Sequence, residues 1–209
     1  MRGRPRARDA RQLPMALLAA AAAGLQRKSL AELTAREIAA EAGTTQAMIQ
    51  YYFGGKDGLV SALIRDTLQE IAASLDTIVE AIARDGRSPT RRLVETMFRH
   101  YCAHLPLYRV LLEEIGDSRS QIRRDYLAGR LLGNFRPLCK VMAAAQAAGI
   151  YRRDIDLRQA TFVISCLTLG PVAIGPAIGP FDIALDALMG EAWIGHVTEM
   201  IDRMLCVAG

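Results

Sequence analysis

An all-α protein is predicted, with a small N-terminal three-helix domain and a larger helical C-terminal one, about nine helices in total. Three observations carry this. About half of the 209 residues are apolar and under a quarter are charged, which suits a folded chain. Alanine, leucine, isoleucine and arginine dominate, a mix that favours helix. Apolar positions recur at spacings of three and four, and almost no alternating pattern is present.

Residues 1–12, rich in Arg, Gly and Pro, read as a flexible basic arm. Pro14 sits where a first helical turn tolerates proline, so the first helix is expected over Met15–Gly24. Leu33–Ala42 places Leu33, Ile38, Ala39 and Ala42 on one face, and Gly43 ends it. Thr45 is positioned to cap a short helix Gln46–Phe53, which Gly54-Gly55 breaks. A long amphipathic helix follows over residues 56–84, with Leu59, Leu63, Leu68, Ile71, Leu75, Ile78 and Ile82 as its buried stripe. Further helices are expected at 89–104, 106–115, 119–148, 157–169 and 184–206.

Ala160 to Phe181 is uncharged for twenty-two residues, long enough to cross a bilayer. Its three Gly-Pro pairs, at 170–171, 175–176 and 179–180, would break a spanning helix and strand backbone groups in lipid. The expectation is instead a buried helix to Leu169, a Gly/Pro-rich stretch after it, and no membrane partner. Four scattered cysteines without CxxC spacing, and no secretory signal, point to a reducing cytoplasm.

Charge is unevenly placed. Residues 1–60 hold nine Lys/Arg against five Asp/Glu, whereas residues 61–209 hold seventeen of each. The excess of +4 therefore lies in the N-terminal part, which implies an anionic partner for that end.

Thr34 to Phe53 reads as helix, tight turn at a glycine, and a second short helix. Small apolar contacts from Ile38, Ala39, Ala42 and Ile49 can pack the two helices steeply. That leaves Thr45, Gln46, Ala47, Gln50 and Tyr51 facing outward, where the helix N-terminus can approach base edges and phosphates. From Leu17 to about Leu63 the sequence resembles the TetR family of bacterial transcriptional regulators. Leu17-Leu18 and Ala20-Ala21 fit its first helix, Ile38-Ala39 its second, and Gly43-Thr44-Thr45 its turn. Ile49, Tyr51, Tyr52, Phe53, Lys56, Asp57 and Leu59 fit the close of its recognition helix and the opening of the fourth. Leu25, Ser29 and Gly54-Gly55 depart from the usual phenylalanine, glycine and polar pair.

The resemblance implies a ligand-responsive helix-turn-helix regulator, most simply a repressor released from a palindromic operator by a small molecule. Thr34, Thr44, Tyr51, Tyr52 and Lys56 would hold phosphates. Thr45, Gln46 and Gln50 are candidates for base edges, since Gln can make a bidentate contact to adenine, with Ala47 permitting close approach. Arg2, Arg4 and Arg6, flanking glycine and proline, resemble an AT-hook core that follows a narrow minor groove. The division expected is an arm at 1–12, a DNA-binding domain at 13–55 and a ligand-binding and dimerisation domain at 56–209.

In that last domain Met97, Tyr101, His104, Tyr108, Phe135, Cys139, Met142, Phe162 and Cys166 combine apolar bulk with polar tips, as ligand cavities do. Leu167, Ile174, Leu185, Leu188, Trp193, Val197 and Met200 give the last two helices surplus apolar surface, expected to form a homodimer. His100 and His104 stand four apart on one helix, but no adjacent Glu completes HExxH, so no metal or other cofactor is expected. The Gly-Pro pairs lack the strand and lysine of a phosphate cradle, and no GxSxG elbow is present, so no enzyme is expected.

Overall fold

Local capping fixes the first helices. In the computed structural model, which describes residues 9–128, 135–178 and 190–207, ten helices are found among the described residues. α1 spans Asp9–Leu25, α2 Ala35–Glu41, α3 Gln46–Phe53 and α4 Lys56–Asp85. α5 spans Thr90–Ala103, α6 Leu105–Gly116, α7 Gln121–Leu127, α8 Phe135–Ala147, α9 Leu157–Ile178 and α10 Glu191–Leu205.

α1 starts earlier than the proline suggested: Pro14 lies inside the helix, not in its first turn. Its ring costs the one hydrogen bond that a residue-14 N–H would give, and the helix continues because Leu17, Ala20, Ala21 and Leu25 are buried along one face. The arm arginines Arg2, Arg4 and Arg6 lie outside the described residues.

α2 opens with a capping box. The Thr34 hydroxyl accepts from the Glu37 backbone N–H, and the Glu37 carboxylate accepts from the Thr34 N–H at 2.9 Å. Gly43, at φ +66°, makes the left-handed turn into α3, and Gly54, at φ +73°, closes α3. Those two positions need a residue without a Cβ penalty, which is why the breaks fall there.

Two expected spans differ. The single helix at 119–148 is divided: Ser120 caps α7, and the chain turns at Ala128, where the backbone N–H is already bonded to the Arg124 and Tyr126 carbonyls. At the other, the backbone does not stop at Leu169. α9 runs on through positions 171 and 176 to Ile178. Burial of Ile164, Thr168 and Pro171 on one face outweighs the bond lost at proline, and the Thr168 hydroxyl donates back to the Ile164 carbonyl at 2.8 Å. Residues 184–189 of the last expected helix lie outside the described residues. No helix among the described residues is long and apolar enough to cross a membrane.

The chain forms two compact units, Met1–Thr67 with Pro106–Leu131, and Leu68–Leu105 with Leu132–Gly209. α4 contributes its first part to one and its remainder to the other. In the first unit α2 packs on both α1 and α3, burying Leu17, Leu33, Ile38, Ala39 and Ile49. Of the long stripe on α4, Leu59, Leu68, Ile71, Leu75, Ile78 and Ile82 are buried and Leu63 is half-buried.

In the second unit α9 packs on α5 and α8, and α10 on α5 and α9. A buried chain of hydroxyls ties this core. Thr90 donates to the Asp202 carboxylate, so the Tyr151 hydroxyl donates to Thr90, at 2.9 Å. Burial, the largest influence, pushes the Tyr151 hydroxyl far above its ordinary pKa and keeps it a donor.

Candidate nucleic-acid interface and effector region

The outer face of α3 is built by what is buried on its inner face. Ile49 is fully buried and Met48, Tyr52 and Phe53 are half-buried, which turns Thr45, Gln46, Ala47 and Gln50 outward. Tyr51, 77% exposed, stands edge-on to Tyr52 with ring centroids 5.0 Å apart. Its hydroxyl is therefore carried clear of the domain. Thr45 occupies the N-cap position of α3, yet its side chain makes no capping bond. Its hydroxyl is not used to cap the helix, whereas the Met48 N–H in the first turn already bonds to the Thr45 carbonyl at 3.0 Å.

Two of the expected phosphate ligands are already engaged. The Thr34 hydroxyl donates to Glu37 at 2.8 Å while serving as the α2 cap. Lys56, half-buried at the start of α4, donates from Nζ to the Leu30 carbonyl at 2.7 Å and the Leu33 carbonyl at 2.9 Å. An ammonium has three N–H bonds, so one remains. Lys56 thus ties the start of α4 to the segment entering α2, and this tie went unread in the sequence because nothing local links residue 56 to carbonyls at 30 and 33. Thr44 is half-buried in the turn.

Around α2 the charges pair. Lys28 meets Glu37 and Arg27 meets Glu41, both at 2.5 Å on the surface. The Lys28 ammonium first, then the Thr34 N–H and hydroxyl, hold the Glu37 carboxyl down at about 2.

The expected effector residues divide. Tyr108 is buried on α6 in the first unit; the rest belong to the second. There Met97 and Tyr101 on α5 and Met142 on α8 are buried, while His104, Phe135 and Cys139 are half-buried. The Cys139 thiol and Thr161 hydroxyl, 3.3 Å apart, link α8 to α9. Phe162 and Cys166 do not join them. Phe162 is 62% exposed and Cys166 is exposed, on the outer face of α9, because Ala160, Thr161, Ile164 and Thr168 take the inner face.

The apolar surface expected of the last helices is also redistributed. Val197 is buried in its own unit, Leu167 and Trp193 are half-buried, and Leu185 and Leu188 lie outside the described residues. Ile174 and Met200 of that set are exposed, together with Phe162 and Val163 on α9 and Met204 on α10.

Residues 17–63 match the family model described as bacterial regulatory proteins, tetR family. Over 139 residues the chain is 30% identical to the HTH-type transcriptional repressor NicS of Pseudomonas putida, covering 63% of this chain and 62% of that protein. The chain spans 34%, 48% and 62% of the length of three curated relatives it matches, all HTH-type transcriptional regulators or repressors.

Among solved structures, one from Mesorhizobium loti assigned to the TetR family has a TM-score of 0.74 at 15% identity, covering 97% of this chain and all of that one. FadR from Bacillus subtilis, in complex with stearoyl-CoA, has a TM-score of 0.67 at 16% identity, covering 90% and 96%. At these identities the likeness is one of fold.

Proposed function

We propose that this chain, whose residues 17–63 match the family model of tetR bacterial regulatory proteins, is a cytoplasmic transcriptional regulator of that family, a repressor that leaves a near-palindromic operator when a small molecule binds. The observation that carries this reading is the outer face of α3. Four residues with hydrogen-bonding side chains and one small residue are presented together on a helix whose opposite side is anchored by Ile49. Gln46 and Gln50, one turn apart, read base edges; Thr45 and Tyr51, with Thr44 and Tyr52 beside them, hold phosphates. Thr34 and Lys56 act chiefly by fixing the frame. Arg2, Arg4 and Arg6 reach the adjacent minor groove from an arm at 1–12. The reading domain is 13–55, and 56–209 senses and dimerises.

A homodimer sets two α3 helices one turn of DNA apart, about 34–36 Å. Exposed apolar side chains on α9 and α10 support this assignment: Phe162, Ile174, Met200 and Met204 are each in contact with water, which a second copy would exclude. The effector occupies the region of Met97, Tyr101, His104, Phe135, Cys139 and Met142. Its lining is mostly apolar and residues 61–209 are neutral overall, which favours a weakly charged, largely apolar molecule. The stearoyl-CoA held by the Bacillus subtilis FadR fold fits that class in its acyl chain. Effector binding displaces α4, which bears on the placement of α3 through Lys56, so ligand and DNA oppose each other by linkage.

Selection of bound duplexes from a random pool, at near-physiological salt, tests the reading. Recovery of an inverted repeat is the expected result. Recovery of A·T-rich sequence without symmetry overturns it and moves the DNA contact to the arm.

A further inference from the structure

α4 and α5 bring together three side chains that no short segment contains. His100 lies in the last turn of α5 and His104, four residues on, is its C-cap, and their ring centroids are 4.6 Å apart. Glu70 projects from α4 onto the same spot, its Oε2 lying 3.5 Å from His104 Nε2. One ligating atom from each residue falls within 4.8 Å of the other two. We propose that Glu70, His100 and His104 form a binding site for a divalent transition metal of zinc type, bridging α4 and α5 within the second unit.

The ligand chemistry selects the ion class. Two imidazoles and one carboxylate suit zinc and its neighbours, whereas magnesium and calcium want oxygen donors. A tetrahedral zinc with bonds of about 2.0–2.1 Å needs ligand atoms about 3.3 Å apart. The His104–Glu70 separation of 3.5 Å already meets this. The widest pair, at 4.8 Å or less, closes by roughly 1.5 Å, within reach of ring rotation and a carboxylate rotamer.

His100 is the innermost of the three, 9% exposed. The Glu70 side chain is 65% exposed and that of His104 is 29% exposed, which leaves an open path from solvent and room for a fourth, non-protein ligand. A surface His–Glu contact contributes little to folding, so stability alone does not account for the convergence. Cys102 sits two residues along α5, hence on a different face.

The test uses the full chain, stripped with a chelator, without DNA. Zinc titration is expected to give one ion per chain and a raised melting temperature. Glu70→Gln and His104→Gln, at exposed and half-buried positions, are expected to leave the metal-free circular dichroism and melting unchanged. Each should weaken zinc at least tenfold. Cobalt(II) substitution is expected to give d–d bands of a nitrogen and oxygen ligand set, lost in both variants. Absence of binding by the native chain, native affinity retained in either variant, or a thiolate charge-transfer band overturns the assignment. Because no operator is involved, failure here is distinct from failure of the regulator reading.

Discussion

Lys56→Met separates two roles that a lysine at the start of α4 can have. The substitution keeps the apolar stem and removes the ammonium that holds the Leu30 and Leu33 carbonyls at 2.7 and 2.9 Å. Hydrogen bonds from a charged donor contribute about 1.5–3 kcal/mol each, and a half-buried site lies toward the low end, so the pair is worth about 3–4 kcal/mol. For a chain of this size that lowers the melting temperature by about 6–16 °C. DNA affinity falls too, because the two carbonyls lead directly into the Thr34 cap of α2 and so into the placement of α3. The loss should be the same on every sequence, and the slope of log affinity against log salt should stay unchanged, since the ammonium is spent on carbonyls. The assay is thermal unfolding of the free protein beside a salt series of operator binding. An unchanged melting temperature with a slope shallower by about 0.9 would mean that Lys56 neutralises a phosphate and that its role in the frame is wrong.

Further outcomes follow from neighbouring residues. Gln50→Ala should leave melting within about 0.5 kcal/mol of native and relax preference at one base pair by about 1–3 kcal/mol, read by repeating the selection; equal losses on all sequences remove Gln50 from the base-reading set. Tyr51→Phe deletes only an exposed hydroxyl, so stability should hold while affinity drops about fivefold with no change in salt slope, because no cation is lost. Glu37 has a folded pKa lowered to about 2 from 4.5, so its stabilising contribution is complete above pH 4.5 and fades as pH falls toward 2. Melting of the native chain and of Glu37→Gln should therefore converge over that window; parallel curves would show that the Lys28 and Thr34 contacts are not held in solution. Phe162→Glu, at a position 62% exposed, should yield a folded monomer by light scattering, and a dimer unaffected by it would move the interface off α9.

What the sequence disclosed was what its short-range rules govern. The α2–turn–α3 unit was legible because a glycine at positive φ and apolar residues at helical spacing suffice to specify it. Thr34 was read only as a phosphate ligand, inside a helix expected from Leu33, although Thr-x-x-Glu ahead of Ile38 is the capping-box signature that the structure uses. Phe162 and Cys166 were misplaced because periodicity identifies faces without saying which one a neighbour covers. On α9 every face is apolar, so only packing on α5 and α8 decides. Pro14 and Pro171 were read as boundaries on their local cost, yet α1 begins before the one and α9 runs past the other. Glu70 carried no signal at all toward His100 and His104, since its contact arises thirty residues away through the packing of one helix on another.

Linkage decides whether the Glu70–His100–His104 cluster acts as a sensor or a staple. Zinc and operator can influence each other only if they prefer different states of the protein, and α4, which supplies Glu70 to one unit and Lys56 to the other, is the element both would have to bias. The coupling must then be reciprocal: a tenfold loss of operator affinity in saturating zinc, about 1.4 kcal/mol, requires a tenfold loss of zinc affinity on the operator-bound protein. Measuring both halves of that cycle on one preparation guards against zinc acting on the DNA itself, which would break the equality. Equal zinc affinity with and without operator would instead assign the cluster to holding α4 on α5, raising stability while leaving DNA release to the apolar effector alone.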